Sequence, residues 1–237
     1  MSIDIVVPVF NQFEKTKLFI NSLSRQIPYR LIIIDNGSDT ETQKYINSIG
    51  AEVITNRKNL GYTKAMNQGL SICTSEYVLF SNNDVIMPNG LLSKLKSHLE
   101  YYDIVTPLSN LDPNDCENKD NSLLVAFDPN KDDIQSFSDA LYRENKGART
   151  PISMAYGHCI LMKREVLEKV GLLDETFESG YHTDDDFCYR AIQCGFDIGL
   201  ALDSFIFHFC HSTFKSLGID SKKEIELSKQ LFGEKYQ

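Results

Sequence analysis

The chain alternates short unbroken apolar runs with longer stretches whose apolar residues recur every three or four positions. Ile3–Val9, Arg30–Asp35, Ala51–Thr55 and Tyr77–Phe80 are runs of the first kind. All four predict strands, and the continuous apolar runs of Arg30–Asp35 and Tyr77–Phe80 predict buried ones, the latter buried on both faces. Between them lie helical patterns. One opens at Asn11 to Glu14, carries Phe19, Leu23 and Ile27 on one face and stops before Pro28; a second spans Thr40–Ile49 and closes at Gly50. A third spans Tyr62–Cys73 with Met66, Leu70 and Cys73 inward, and a fourth follows Pro88 with Leu92, Leu95 and Leu99 along one side. Asp103–Thr106 predicts a further short strand. Strands alternating with helices imply a Rossmann-like α/β domain, its mainly parallel sheet flanked by helices and joined by right-handed crossovers. Pro8 lacks an N–H and belongs at the end or edge of the first strand.

From Ser109 to Arg149 the pattern dissolves into Asp, Asn, Ser and Lys, broken by Leu123–Phe127 and a short helix near Ile134–Tyr142. A weakly patterned stretch of this length is usually functional or mobile. Periodicity returns at Ile152–Met162. Asp184–Cys194 predicts a helix with Phe187, Ala191 and Cys194 on one face. Phe196–Leu200 and Ser204–Phe207 predict two late strands, and Lys222–Phe232 a charged terminal helix.

The polar residues at the strand exits carry the candidate chemistry. The run Tyr77–Phe80 stops at Ser81-Asn82-Asn83-Asp84, where Asn82 and Asp84 point the same way if the chain stays extended. An amide beside a carboxylate there could hold a nucleotide and a hard cation; turn chemistry alone is the competing explanation. Asp35-Asn36-Gly37-Ser38-Asp39 is a second such exit, and Pro8 to Asn11 a third. In a parallel sheet these ends share one rim, where open α/β folds bind ligands. Asp35 could accept from a uracil or ribose group. Gly61 admits close backbone approach, and the helix it precedes suits a diphosphate at its N-terminus. Lys64 or Arg57 would add positive charge there; a solvated helix face is the plainer reading of Lys64.

Asp184, Asp185 and Asp186 crowd the first turn of a helix. One acid with Thr183 as cap would complement the helix dipole. Three repel, which suggests a cation or a proton to remove. His208 directly follows a late strand, with His211 in reserve; a packed core histidine is the competing reading. His98, His158 and His182 lack such a context.

Composition narrows the partners. Lys+Arg 24 against Asp+Glu 33 gives a net charge of −9, which argues against a broad nucleic-acid surface. No basic, then apolar, leader is evident at the start, and no run approaches the length of a spanning helix. The six cysteines are scattered without a Cys-x-x-Cys, so neither a zinc site nor a disulfide framework is expected, and a reducing cytosol fits them. A Gly-x-Gly-x-x-Gly or a basic glycine-rich loop is absent after the first strand, which disfavours a dehydrogenase and a nucleotidyltransferase.

Val6–Asn11, Ile34–Ser38, Asn59–Tyr62, Ser81–Asp84, Asp184–Arg190 and His208 occur in the order found in family 2 glycosyltransferases, and the chain resembles that family from Ile3 to about Thr213. The resemblance implies a single GT-A domain over residues 1–213. Its nucleotide-binding half would be 1–106. Its acceptor and catalytic half would be 107–213, with a variable region at 109–149. A helical tail would follow at 214–237. It implies an inverting transferase that moves a sugar from a nucleotide-sugar, UDP-linked first among them, to a glycan or lipid-linked glycan. Pro8, Phe10, Asn11 and Asp35 would line the nucleoside pocket, Asp35 near the base. Asn59, Gly61, Lys64, Asn82 and Asn83 would meet the nucleotide-sugar. Asp84 and His208 would hold Mn²⁺ or Mg²⁺. Asp184 would be the base, with Asp185 the alternative, because Thr183 stands where the family has Glu. The expected location is the cytoplasm, including peripheral association with the cytoplasmic face of a membrane. A non-catalytic module that binds nucleotide or glycan is the other class these residues allow.

Overall fold

A computed structural model describes residues 2–23, 26–110, 124–209 and 221–236. The first half runs β1 (Ile3–Val9), α1 (Phe13–Leu23), β2 (Tyr29–Asp35), α2 (Thr40–Ile46), β3 (Glu52–Thr55), α3 (Tyr62–Leu70), β4 (Tyr77–Ser81), β5 (Val85–Ile86), α4 (Leu91–His98) and β6 (Ile104–Asn110). The second half runs β7 (Leu124–Val125), α5 (Ile134–Asn145), β8 (Arg149–Ile152), β9 (Cys159–Lys163), α6 (Arg164–Val170), α7 (Thr183–Gln193), β10 (Ile198–His208) and α8 (Ser221–Lys235).

The strands form one sheet in the order β3-β2-β1-β4-β9-β6-β10-β5, with β7 beside β6 and β8 beside β10. β1, β2, β3, β4, β6, β7 and β10 run one way; β5, β8 and β9 run against them. The sheet is thus mainly parallel, and its polar exits gather on one rim. Pro8 pairs with Ile34 of β2 but lies past the last β1–β4 pair, Val6 with Phe80, so its missing N–H breaks no bond to β4.

Alternation along the strands splits the core in two. Ile5, Val7 and Val9 of β1 face a layer containing Phe19 and Leu23 of α1 and Leu92 and Leu95 of α4. Val6 faces Ala65, Met66 and Leu70 of α3 and Phe187 and Ala191 of α7. Period-two side chains on a sheet buried on both faces make this unavoidable.

Several elements differ from the sequence pattern. The two late strands are one, β10, whose pairing with β6 slips between Ala201 and Phe205. Buried Asp203 pins that irregularity by accepting His98 Nε2 and the Gly147 N–H, each at 2.8 Å. Ile27 falls beyond the end of α1 yet still packs on the core. α2 and α3 close a turn earlier than their apolar spacing suggests, and Cys73 lies past the end of α3. β6 runs to Asn110, through the boundary expected at Thr106. Cys116, Leu123, Cys210 and His211 lie outside the described residues.

Gly69 sets how closely α3 approaches the sheet. A Cβ there would lie 2.3 Å from Val6 Cγ1 and 2.6 Å from Ile34 Cδ1. Gly69→Ala is expected to destabilise the fold by about 1–3 kcal/mol despite alanine's better helix propensity. Gly233→Ala, with nothing within 4 Å of its new methyl in α8, is expected to cost nothing. Urea denaturation of the two variants checks the contrast; equal midpoints would remove the packing explanation.

Candidate active site

The rim is assembled by loops that tie one strand exit to the next. Asn11 and Gln12 leave β1 with positive φ, 56° and 62°, an uncommon backbone for residues with side chains. The Asn11 N–H donates to Ser38 Oγ at 3.0 Å, and the Asp39 N–H donates to Asn11 Oδ1 at 2.8 Å. These bonds join the β1 exit to the β2 exit. Asp35, fully buried at the end of β2, accepts the Ser38 N–H at 2.9 Å through Oδ1. Its Oδ2 is buried and has no partner among the described residues. A carboxylate oxygen left this way is costly unless a donor arrives.

Asn36 organises the next loop with all its hydrogen-bonding capacity. Its Nδ2 donates to Asn59 Oδ1 at 2.9 Å and to the Gly61 carbonyl at 3.1 Å. Its Oδ1 accepts from the Leu60 N–H at 3.0 Å and from Asn56 Nδ2 at 3.1 Å. Asn59 Oδ1 also takes the Gly61 N–H. Gly61 itself has φ 88° and leads directly into α3. A Cβ on it would sit 3.0 Å from the Glu178 carbonyl oxygen, so the loop before α7 closes over the start of α3. Lys64 makes an exposed ion pair with Glu178 at 3.4 Å.

At the exit of β4 the alternation separates the three residues of Asn82-Asn83-Asp84. Asn83 is buried and donates to Thr16 Oγ1 of α1 at 2.9 Å. It braces the turn against the helix layer. Asn82 Oδ1 is buried and has no partner among the described residues. Asp84 is buried, with Oδ1 3.2 Å from His208 Nε2, and its backbone carbonyl takes the Phe209 N–H. The pairing of Val85 with His208 in the β5–β10 ladder enforces this meeting. One carboxylate oxygen and one imidazole nitrogen at that spacing are a donor pair that one hard divalent cation could take in place of their mutual contact. Among the described residues no cluster of three or more His, Cys, Asp or Glu forms a closed metal cage.

The acidic turn of α7 reaches the same rim. Asp184 Oδ2 accepts the Gly157 N–H at 2.7 Å. Burial pushes its carboxyl up to about 7, with the Asp185 charge adding to the rise, while burial raises Asp185 to about 6. His182 Nε2 lies 3.9 Å from Asp185 Oδ2. Thr183 does not cap the helix. It is buried, and its hydroxyl meets Thr63 Oγ1 and the Phe177 carbonyl. The capping position belongs to His182, in the left-handed region at φ 59°.

Gly157 and His158, to which the sequence reading gave no role, join with Tyr62 to connect Asp184 to the candidate cation ligands. Gly157, which holds Asp184, also has its carbonyl 3.4 Å from the Tyr62 hydroxyl. The next carbonyl, of His158, accepts from Ser81 Oγ at 2.9 Å and the Asn82 N–H at 3.2 Å. The His158 ring stacks on His208 with centroids 4.7 Å apart. Burial, and then the neighbouring His208, hold it well below the usual histidine range. The Tyr62 phenol is pushed far up by burial and by the charges of both Asp184 and Asp84, so one ring feels both carboxylates. The signal available in the sequence was the placement of Gly157-His158 immediately before the apolar run 159–162. A strand entering antiparallel starts on the rim where its parallel neighbours end.

Asn36→Ala leaves the Asn56 and Asn59 amides and the Leu60 N–H without their common partner. The expected loss is about 1–3 kcal/mol in urea denaturation, with faster amide exchange at residues 59–61. Unchanged exchange there would show that Asn36 does not organise the loop.

The sequence model for glycosyl transferase family 2 matches residues 4–171, ending before α7. A pre-mycofactocin glycosyltransferase of Mycobacterium tuberculosis is 27% identical over 201 residues, covering 81% of this chain and 39% of the relative. Among solved structures, GalNAc-T7 with UDP, GalNAc and Mn²⁺ superposes with a TM-score of 0.66 at 15% identity, over 88% of this chain and 44% of the other. The mannosyltransferase PcManGT of Pyrobaculum calidifontis, in complex with GDP-Man and Mn²⁺, superposes with a TM-score of 0.61 at 16% identity, over 87% of this chain and 56% of the other. The fold is the GT-A fold of these glycosyltransferases, and the chain spans less than half the length of the first two.

Proposed function

The chain belongs to glycosyl transferase family 2, and we propose that it transfers a sugar from a nucleotide-sugar to a hydroxyl of a glycan or lipid-linked glycan, with inversion at the anomeric carbon. The observation that carries this reading is the convergence of Asp84, His208 and Asp184 around Tyr62 and Gly157-His158 on the rim of the sheet.

Asp35 Oδ2, buried and unpartnered among the described residues, accepts an N–H or O–H of the nucleoside, beside Pro8, Phe10 and Asn11. Gly61 and the first N–H groups of α3 lie where a diphosphate gains from the helix dipole. Lys64 lies one turn into that helix and adds a mobile cation. Asn82 Oδ1 accepts from the donor sugar. Asp84 and His208 would hold a divalent cation, Mn²⁺ or Mg²⁺, which would supply positive charge beside the diphosphate. Asp184 is the base. Its Oδ2 is fixed by the Gly157 N–H, and burial gives it a proton affinity suited to neutral pH. It takes the acceptor hydroxyl's proton as that oxygen bonds to the anomeric carbon. The bond from that carbon to the diphosphate oxygen breaks, and its electron pair leaves on the phosphate. One displacement inverts the centre without a covalent enzyme intermediate. UDP is the first nucleotide to test. No helix among the described residues is long and apolar enough to cross a membrane; a cytoplasmic site of action, with peripheral contact to a membrane-borne acceptor, is part of this proposal.

Asp84→Ala is expected to abolish transfer and weaken UDP binding. Asp184→Asn is expected to abolish transfer and leave UDP binding intact, both read by calorimetry and by product release. A base must be ionised, and burial raises Asp184 toward 7. Transfer should therefore fall about tenfold per unit as pH drops below that value, with the folded protein unchanged by circular dichroism. Retained transfer in Asp184→Asn would remove the base assignment. Sugar-nucleotide binding without metal-dependent turnover across a donor panel would make the protein a binding module.

A further inference from the structure

We infer that α8 positions the base, with Lys235 as the residue that holds it, an inference that rests on the glycosyltransferase reading above. Asp186 sits on the first turn of α7, two residues after Asp184, and is fully buried. Its charge already has a partner on its own helix, since Arg190 Nε donates to it at 2.8 Å. Arg190 also caps the Val170 and Leu172 carbonyls, so that arrangement is complete within α6 and α7. Lys235 adds something else. Its Nζ bridges Asp186 and, at 2.6 Å, Asp174. These two acids bracket the loop that delivers Asp184 and Asp185 to the rim. The Tyr236 hydroxyl donates to Asp186 at 2.6 Å.

The rest of α8 follows the loop between those two points. Ser228, buried, hydrogen-bonds Ser179 Oγ at 3.2 Å. The Phe232 ring lies 6.5 Å from Phe177 and 6.1 Å from His182. On its other side the loop presses on the start of α3. Gly180 has φ 89°, and a Cβ there would lie 2.8 Å from the Tyr62 ring. The loop is held between α3, on the nucleotide side, and α8, on the outside. It ends at His182, whose left-handed backbone is strained and persists only if its surroundings hold it. Releasing α8 frees the loop to relax and moves the Asp184 carboxylate off its bond to Gly157. Asp35, Asn36 and Asp84 are held by contacts outside this loop, so the nucleoside and cation parts of donor binding do not depend on Lys235.

The test compares Lys235→Met, Lys235→Arg and Tyr236→Phe with the unmodified protein. Lys235→Met is expected to lower kcat roughly 10- to 100-fold, the scale of a misplaced catalytic group. UDP affinity and donor KM should stay within about twofold, because ground-state binding is untouched. Amide exchange should quicken in residues 177–186 and stay unchanged in 56–61. Lys235→Arg should restore most of the kcat, and Tyr236→Phe should show a smaller loss of the same kind. A Lys235→Met protein with parental kcat and parental exchange in 177–186 would overturn the inference, as would equal losses of kcat and UDP affinity with general loss of protection. If the unmodified protein transfers no sugar from any donor, the glycosyltransferase reading falls. If it transfers and Lys235→Met matches it, only the positioning role falls.

Discussion

The backbone of two consecutive residues at the entrance to β9 holds the site together. The Gly157 N–H fixes Asp184, and the His158 carbonyl fixes Ser81 and Asn82 at the exit of β4. They reach the rim because β9 runs against β4 and β6, on either side of it. A parallel strand in that place would put its entrance at the opposite rim. The proposed base would then have no backbone donor joining it to the loop that carries Asp84. The reversal of one strand is therefore the constraint on which the geometry of the rim depends.

Electrostatics follow from the same placement. Asp184 and Asp185 are adjacent and half-buried, with little water around their carboxyl groups, so both hold their protons more tightly than an exposed carboxylate does. Burial also favours a neutral His158 against His208, which keeps a second positive charge away from the proposed cation position. Two side-chain oxygens at the rim without partners among the described residues, Asp35 Oδ2 and Asn82 Oδ1, lie at the ends of neighbouring strand positions across β2, β1 and β4. A donor-rich ligand spanning that line would relieve both.

Much of this was legible in the sequence. Strands buried on both faces read as unbroken apolar runs, so β1, β2 and β4 and their polar exits stood out. Asp84 and His208, more than a hundred residues apart, each stood out at a strand exit, and the resemblance to family 2 glycosyltransferases joined them at one cation. Gly157-His158 was missed because local pattern does not reveal strand direction, and a polar pair before a strand looks like any turn. Thr183 read as a helix cap because its spacing to Asp186 mimics a capping box, whereas packing against Thr63 turned its hydroxyl inward. The docking of α8 was invisible for the same reason. Lys235 looks like one more charge on an exposed helix until Asp174 and Asp186 are seen on either side of it. β10 read as two strands because Asp203, in its middle, carries the charge that ordinarily ends one. Here hydrogen bonds from His98 and the Gly147 N–H satisfy that carboxylate and the strand continues.

The central claim is that Asp84, His208 and Asp184 face one cleft. Paramagnetic broadening by Mn²⁺ in the presence of UDP tests it most directly, because the effect falls steeply with distance from the ion. Amide resonances of Gly61, Gly157, His158 and Asp184 should broaden together at low Mn²⁺, while those of Thr74 and Ser75, on the opposite rim beside Asp4, stay sharp. Sharp signals from Gly157 and Asp184 while Asp84 and His208 broaden would place the proposed base outside the cleft and contradict the account.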